Sequence, residues 1–175
     1  MSKKISVLVI GCGNMGASHA TAYHNHDGFE ICGLVSRGKS KDELNNSLKS
    51  NYKLFTDYQE AITSTKPDAV CISTYPDTHE EISLYALEHN CHIFLEKPIA
   101  ADLDGSRKII DKAEKSGKKL VVGYILRHHP TWKKFILESK KLGKPVAMRM
   151  NLNQQSSGET WDVHKNLLAS LSPIV

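Results

Sequence analysis

The sequence has no apolar run long enough to cross a membrane and no concentrated tract of basic residues. The apolar stretch 5–10 is far shorter than the roughly 20 residues that a membrane-spanning helix needs, and the N-terminus has no signal-peptide pattern. The lysines are scattered or paired and the net charge at pH 7 is only +4, whereas nucleic-acid binding usually needs a basic patch. We therefore expect a cytoplasmic protein without a membrane or nucleic-acid partner.

Metal-binding spacings are also absent from the sequence. The four cysteines form no C-x-x-C pair, and none of the nine histidines belongs to an H-E-x-x-H motif. Three of the cysteines lie in or beside apolar, strand-like runs, which is typical of small buried hydrophobic residues in a reducing compartment. The sequence thus predicts no metal site. The cysteines are Cys12, Cys32, Cys71 and Cys91.

The sequence does contain short β-branched apolar runs that alternate with longer helical patterns. The predicted strands are 5–10, 30–35, 52–55, 68–72, 92–95 and 120–122. The predicted helical segments are 13–24, 41–48, the single turn 58–62, 78–90 and 102–116, the last closed by Gly117 as a left-handed cap. This order predicts an α/β domain with a doubly wound parallel sheet, occupying residues 1–123.

The pattern changes near residue 127, where a different kind of unit begins. Residues 132–141 have the periodicity of an amphipathic helix, and 146–153 alternate apolar with polar or small residues. Such alternation predicts a half-buried strand of a second, antiparallel sheet. We therefore expect residues 124–175 to form a linker, a helix and the first strand of an incomplete second domain.

A glycine-rich loop, Gly11-Cys12-Gly13-Asn14-Met15-Gly16, joins the first predicted strand to the first helix. Between a strand and a helix this pattern predicts a dinucleotide-binding Rossmann domain. Gly11 allows a tight turn, Gly13 lets backbone N–H groups approach a pyrophosphate, and Gly16 lets helix and strand pack closely. The helix N-terminus adds unpaired donors and a partial positive charge. The alternative is a glycine-rich turn without a ligand.

The end of the second strand bears on the choice of cofactor. NAD-dependent enzymes usually carry Asp or Glu there to bind the ribose 2′-hydroxyl, but this sequence has Ser36 and Arg37 and no carboxylate. Arg37 can pair with a 2′-phosphate and Ser36 can donate a hydrogen bond to it. NADP is therefore favoured over NAD. The alternative is a solvent-facing turn with an incidental arginine.

Polar residues follow the fourth predicted strand, where doubly wound folds bind ligands. Thr74 and Tyr75 are expected near the ribose or nicotinamide of the cofactor, and His79 is a further candidate contact. Capping of the next helix is by itself a sufficient explanation for Asp77 and Thr78, but it does not explain His79. The alternative for His79 is a position on the surface, in the first turn of the helix.

The fifth predicted strand ends in Glu96-Lys97-Pro98. Glu96 can accept hydrogen bonds from ribose hydroxyls. Lys97 would place an ammonium group near the nicotinamide, where it could polarise a carbonyl or orient a hydroxyl of the substrate. Pro98 is a candidate for a cis peptide that fixes the turn. The alternative is a solvated Glu-Lys pair before a turn-forming proline.

Taken in order, these motifs resemble those of the Gfo/Idh/MocA family of NAD(P)-dependent oxidoreductases. The matching segments are 9–16, 68–74 with His79, 94–98 and 123–127 with Pro130. The resemblance implies oxidation or reduction of a sugar, cyclitol or related alcohol. It also implies that Lys97 acts at the hydride-transfer centre, that Glu96 lies beside the cofactor and that Arg127 lines its nicotinamide side.

The resemblance also has a limit. Family members are about twice as long, and their usual downstream Asp and His would fall beyond Val175; His164 lies outside that motif and is not given the role. We therefore expect a truncated α/β substrate domain, a chain that binds cofactor without turnover, and possible homo-oligomers through the C-terminal sheet. The alternative is a non-catalytic dinucleotide-binding protein.

Overall fold

The computed structural model describes residues 3–144 together with 147 and 149, and the chain divides into two compact units after Gly123. The first unit alternates strands with helices. Its strands are β1 (Ile5–Ile10), β2 (Phe29–Val35), β3 (Leu54–Phe55), β4 (Ala69–Ile72), β5 (His92–Leu95) and β6 (Leu120–Val122). Its helices are α1 (Asn14–His24), α2 (Ser40–Ser47), α3 (Tyr58–Thr65), α4 (His79–Glu88), directly preceded by a 3₁₀ turn (Pro76–Thr78), and α5 (Leu103–Ser116).

The six strands form one parallel sheet with the order β3-β2-β1-β4-β5-β6. β1 pairs with β2 on one side and with β4 on the other, so the chain reverses its direction of winding beside β1. This is the doubly wound Rossmann order, in which ligands bind at the carboxyl ends of the strands beside that reversal. The predicted fold class is therefore confirmed for this unit.

The core lies on both faces of the sheet. Along β1, Leu8 and Ile10 pack into one apolar cluster while Val7 and Val9 pack into another on the opposite face. The first cluster includes Val35, Ile62, Val70, Ile72, Ile82, Ile93, Leu95 and Ile109; the second includes Ala20, Ile31, Leu34, Leu44 and Cys71. Burial on both faces explains why these strands are continuous apolar runs in the sequence.

Four predicted elements differ in length by two or three residues from those observed: α3 and the helix predicted at 132–141 are longer, and α4 and β3 are shorter. α3 has eight residues where a single turn was predicted; it buries Ala61 and Ile62 and ends where Lys66 adopts a left-handed conformation. β3 has two residues where four were predicted, since the Tyr52 N–H donates to the Asn45 side chain. The predicted strand 146–153 lies outside the described residues.

The cysteines behave as buried apolar residues. Cys12, Cys71 and Cys91 are buried, and burial raises the pKa of the Cys12 and Cys91 thiols to about 11 and that of Cys71 to about 12. The Cys12 thiol lies 3.4 Å from the Val35 carbonyl oxygen, to which it donates. Within the described ranges, no group of His, Cys, Asp or Glu side chains has the arrangement of a metal site, and no helix has the length and apolar character needed to cross a membrane.

The second unit, in its described part, contains a 3₁₀ turn (Ile125–Arg127) and the helix α6 (Pro130–Lys141). The Arg127 guanidinium lies over the Tyr124 ring, 5.0 Å from its centroid, which is a cation–π geometry. Phe135 and Leu137 of α6 are exposed.

Asp68, which directly precedes β4, connects that strand to β1. Its carboxylate accepts hydrogen bonds from the backbone N–H and the hydroxyl of Ser6, both at 2.9 Å, and lies 3.4 Å from the Lys3 ammonium. The Ser6 bonds hold the pKa of Asp68 below its ordinary value, against the opposing effect of burial. The ionised carboxylate is thus the form that stabilises the pairing of β1 with β4.

We expect Asp68→Asn to lower the free energy of unfolding at pH 7 by about 1 kcal/mol, since the two bonds from Ser6 to one carboxylate oxygen become bonds to a neutral amide oxygen and lose their charge assistance. A lowered folded-state pKa stabilises the fold above the unfolded-state value of about 3.9 and ceases to do so as pH falls through the folded value. The variant should therefore lose less stability than the unmodified chain between about pH 5 and pH 3. Urea unfolding across this range tests this, with Asp27→Asn as the control; identical pH dependence would contradict it.

Candidate functional site

Four loops meet at the carboxyl edge of the sheet, because all six strands are parallel. They follow β1, β2, β4 and β5 and span 11–13, 36–39, 73–75 and 96–102. These loops and the first residues of the helices that follow bring together every predicted site residue of the first unit. Those residues are Gly11, Gly13, Asn14, Met15, Gly16, Ser36, Arg37, Thr74, Tyr75, His79, Glu96 and Lys97.

The glycine loop is held by close backbone packing. Gly11 has a φ of +91°, and a Cβ there would lie 2.4 Å from the Ser73 carbonyl oxygen. A Cβ on Gly16 would lie 1.8 Å from the Gly11 carbonyl oxygen. Side chains cannot occupy these two positions without moving backbone, so the turn and the close contact of α1 with β1 both require glycine.

Gly13 differs from its two neighbours, because a Cβ built on it would meet no atom within 4 Å. Gly13 precedes α1, and no side chain caps the helix N-terminus. The space in front of these N–H groups is thus open. A pyrophosphate fits such a space, since it can accept hydrogen bonds from the uncapped N–H groups and interact with the positive end of the helix.

The loop after β2 carries the predicted 2′-phosphate ligands. The Ser36 hydroxyl lies 2.7 Å from the Ser40 hydroxyl and accepts a hydrogen bond from the Gly38 N–H at 3.3 Å. Arg37 is exposed, and within the described ranges its guanidinium makes no hydrogen bond or ion pair. Arg37 is therefore available to an anionic ligand.

Lys41 is a cation in this region that the sequence analysis did not single out. Its side chain is only 12% exposed, and its ammonium donates to the Gly38 carbonyl oxygen at 2.8 Å and lies 3.7 Å from Asp42. Its charge also acts on the Cys12 thiol in the glycine loop, opposing the burial that raises the pKa of that thiol. A basic residue four positions after Arg37, in the first turn of α2, is the sequence signal that could have identified it.

The ring of His79 lies between the loop after β4 and the loop after β5. The ring has no exposed surface; its Nδ1 lies 2.8 Å from the Pro98 carbonyl oxygen and its Nε2 lies 3.2 Å from the Thr74 carbonyl oxygen. The alternative of a surface residue is therefore wrong. The ring contacts two loops of the protein and presents no surface to a cofactor, so the predicted direct contact is not what this geometry supports.

The neighbouring residues of that loop have other partners. Thr78 precedes α4, but its hydroxyl donates toward the Thr74 hydroxyl and the Tyr75 carbonyl, both at 2.8 Å, and does not cap the helix. The Thr74 hydroxyl is thus tied to its own loop, and the Tyr75 side chain is 44% exposed. Their contact with the cofactor stays a prediction.

Glu96 is a buried carboxylate with two protein donors. His19 Nε2 lies 2.7 Å from its Oε1, and the Lys97 backbone N–H donates to Oε2 at 3.2 Å. A Cβ on Gly123 would lie 2.9 Å from Oε1, so glycine leaves the room that this carboxylate occupies. The sequence analysis predicted ribose hydroxyls as partners of Glu96 and missed His19, which is its main partner in the structure.

Two opposing effects act on the Glu96 carboxyl. Burial acts to raise its pKa, but the hydrogen bonds from His19 and the Lys97 N–H, together with the charges of both residues, hold the pKa below its ordinary value. Glu96 is therefore ionised at neutral pH. A buried anion therefore directly precedes Lys97 in the chain.

Lys97 itself is exposed, and within the described residues its ammonium makes no hydrogen bond or ion pair. The Lys97–Pro98 peptide is cis, as the sequence suggested. The ammonium is thus free to contact a ligand at the edge of the sheet. Arg127 belongs to the second unit, where it contacts Tyr124, and its predicted place beside the nicotinamide stays a prediction.

The strand order, the glycine loop and the open helix N-terminus define a dinucleotide-binding domain of the Rossmann type. Residues 5–124 match the GFO_IDH_MocA family, described as an oxidoreductase family with an NAD-binding Rossmann fold. Because this match covers more than half of the sequence, the chain belongs to that oxidoreductase family.

Its relatives include inositol 2-dehydrogenases. That of Corynebacterium glutamicum is 28% identical over 165 residues, and that of Klebsiella pneumoniae is 30% identical over 175; each match covers 92% of this chain and 49% of the relative. The crystal structure of scyllo-inositol dehydrogenase from Lactobacillus casei, with bound NAD(H) and scyllo-inositol, has a TM-score of 0.73 and 23% identity, over 81% of this chain and 43% of that one. The chain thus spans about half the length of these relatives, and the crystal structure supports the fold.

Gly13 and Gly16 have different surroundings, so their substitutions should have different effects. Substitution of Gly13 should weaken dinucleotide binding, whereas substitution of Gly16 should destabilise the fold. Gly13→Val should lower dinucleotide affinity by at least about 100-fold, because the side chain would fill the open space before the helix and block several charge-assisted bonds. Its effect on the free energy of unfolding should stay within about 1 kcal/mol, since the position has an ordinary φ and no close neighbours.

Gly16→Ala is the matched comparison, since its Cβ would overlap the Gly11 carbonyl. We expect it to destabilise the fold by more than about 1 kcal/mol. Fluorescence titration with a reduced dinucleotide and urea unfolding measure the two effects. Unchanged affinity in Gly13→Val would remove the glycine loop from the binding site.

Proposed function

We propose that this chain provides the cofactor-binding part of an NADP(H)- or NAD(H)-dependent oxidoreductase that acts on a sugar, cyclitol or related alcohol. The observation that carries the proposal is the exposed, unpaired ammonium of Lys97 at the same sheet edge as the open N-terminus of α1. A dinucleotide bound there would supply hydride transfer at nicotinamide C4. The matches to inositol dehydrogenases support a polyol as the other reactant.

Each residue of the site has a distinct part in this proposal. The N–H groups that follow Gly13 hold the pyrophosphate, and Gly11 and Gly16 fix the turn that presents them. Lys97 orients the substrate hydroxyl for oxidation, or polarises the carbonyl for reduction, through a hydrogen bond from its ammonium group. Glu96 supplies a negative charge beside that ammonium while remaining bonded to His19.

The preferred cofactor in this proposal is NADP. Ser36 and Arg37 stand where a carboxylate would bind the 2′-hydroxyl of NAD, and Arg37 has no partner within the described ranges. Lys41 adds a second, largely buried cation in the same loop region. Two cations and a hydroxyl match the charge and acceptor groups of a 2′-phosphate better than they match a neutral ribose.

We expect the unmodified chain to bind NADPH more tightly than NADH in parallel fluorescence titrations. Arg37→Asp should weaken NADPH binding by about 10- to 100-fold, the range for losing a hydrogen bond between charged groups, and change NADH binding much less. Lys49→Asp makes the same change of charge at an exposed position after α2 and should leave the ratio unchanged. Tighter binding of NADH by the unmodified chain would overturn the preference.

The oxidoreductase proposal also predicts how the 175-residue chain behaves with substrates. With NADP and a panel of inositols and aldoses, we expect saturable cofactor binding without turnover, because the described site offers Lys97 but no second acid/base. Loss of a positioned acid/base costs about 100- to 10,000-fold in rate. Absorbance of the reduced nicotinamide measures turnover.

Two results would change this proposal. Steady turnover that is lost in Lys97→Met would show that the chain is a complete catalyst. Absence of dinucleotide binding would overturn the cofactor-binding role altogether. In this proposal added polyols interact with the bound dinucleotide through Lys97. If Lys97→Met changes none of these interactions, the alternative of a non-catalytic dinucleotide-binding protein is favoured.

A further inference from the structure

Two histidines from different helices contact the turn that carries Lys97. His19 of α1 bonds to the Glu96 side chain at 2.7 Å, and His79 of α4 lies 2.8 Å from the Pro98 carbonyl oxygen. The two contacts fall on the residues immediately before and after Lys97. We use the name Lys97 turn for residues 96–98.

The contact from His19 joins the Lys97 turn to the glycine loop. His19 lies in the second turn of α1, whose open N-terminus follows Gly13, and its ring packs on Phe94 of β5 with 4.6 Å between centroids. Glu96 in turn accepts the Lys97 backbone N–H. An unbroken series of contacts therefore runs from the helix that would hold the pyrophosphate to the backbone of Lys97.

The contact from His79 joins the Lys97 turn to the loop after β4. Its second ring nitrogen lies 3.2 Å from the Thr74 carbonyl oxygen, so one buried ring lies between two loops of the site. Burial lowers the pKa of His79, which favours the neutral ring against the opposing effect of the surrounding carbonyls. A neutral ring carries one N–H, so it donates to one carbonyl at a time.

Other roles for these histidines do not match their surroundings. Neither belongs to a group of side chains with metal-site geometry in the described part of the chain. His79 has no exposed surface through which to exchange a proton with a substrate, and the Nε2 of His19 is bonded to Glu96. Each contacts the Lys97 turn, and Lys97 is the group with a proposed chemical role.

We infer that His19 and His79 are positioning residues, which hold the Lys97 turn from both sides so that the Lys97 ammonium faces a dinucleotide bound at the glycine loop. The part of this inference that concerns the bound cofactor rests on the proposed function. The hold on the turn itself is a property of the unliganded chain and is tested separately.

The test uses one disruptive and one conservative variant at each histidine. His19→Phe keeps an aromatic ring against Phe94 but cannot bond to Glu96, whereas His19→Gln keeps a donor. His79→Leu removes both ring nitrogens, whereas His79→Asn keeps a donor for Pro98. His24→Phe on α1 and His89→Leu after α4 are the matched controls, since both histidines are exposed.

The first measurement is amide hydrogen exchange by mass spectrometry on the unliganded chain. His19→Phe and His79→Leu should speed exchange in peptides covering 96–99 by about 2- to 12-fold, the range for one lost hydrogen bond. Peptides from β1 should stay unchanged, which separates local loosening from general destabilisation. The conservative variants should recover most of the protection, and the controls should match the unmodified chain.

The second measurement follows acylation of Lys97 by acetic anhydride at saturating NADPH, quantified by mass spectrometry. Bound dinucleotide should protect Lys97, and the disruptive variants should reduce that protection by a similar 2- to 12-fold. Because the cofactor is saturating, weaker binding alone does not produce this change. Recovery in His19→Gln and His79→Asn would support a positioning role.

The outcomes separate the two proposals. Unchanged exchange at 96–99 in both disruptive variants overturns the inference, and so does an equal change in the controls. Faster exchange together with undiminished protection of Lys97 also overturns it, since the histidines would then act on the fold alone. If the unmodified chain binds neither NADPH nor NADH, the proposed function fails, and the exchange measurement still decides whether the histidines hold the turn.

Discussion

Backbone crowding at the end of β1 is the constraint on which the rest of the site depends. The carbonyl of Gly11 occupies the space that a side chain at position 16 would need, and the carbonyl of Ser73 does the same for position 11. The chain can pass from β1 into α1 only with glycine at these points, because any Cβ would overlap backbone. This packing fixes the N-terminus of α1 beside β4, and it leaves Gly13 facing open space.

The carboxyl edge of the sheet separates its charges in a way that suits an anionic ligand. The one buried anion there, among the described residues, is Glu96, and it is directed at His19 and the Lys97 backbone. The exposed cationic groups at this edge are the N-terminus of α1, Arg37 and the Lys97 ammonium, and the carboxylates of Asp77 and Asp102 are exposed there as well. Because Glu96 is buried against its own donors, Arg37, the Lys97 ammonium and the N-terminus of α1 remain exposed at this edge, where they can attract a phosphate-bearing molecule.

The sequence predicted the features that depend on residues close together in the chain. The strand 92–95 and the cap at Gly117 are set by a local apolar run and a single left-handed residue, and both occur as expected. His19 and Glu96 are 77 positions apart, and His79 and Pro98 are 19 apart. Such pairs become neighbours only through the strand order, which no local periodicity reveals. The short β3 likewise depends on Asn45, whose role appears only when α2 packs against the sheet.

The buried thiol of Cys12 has a consequence for the chemical durability of the glycine loop. Burial raises the pKa of this thiol to about 11, so the thiol is the form present at neutral pH, whereas the thiolate is the form that reacts with peroxides and alkylating agents. A cysteine in the middle of a nucleotide-binding loop would ordinarily expose that loop to inactivation by oxidants. Here burial against the end of β2 disfavours the reactive thiolate and restricts access to the sulfur, so this loop should react more slowly with oxidants and thiol reagents than a loop with an accessible cysteine.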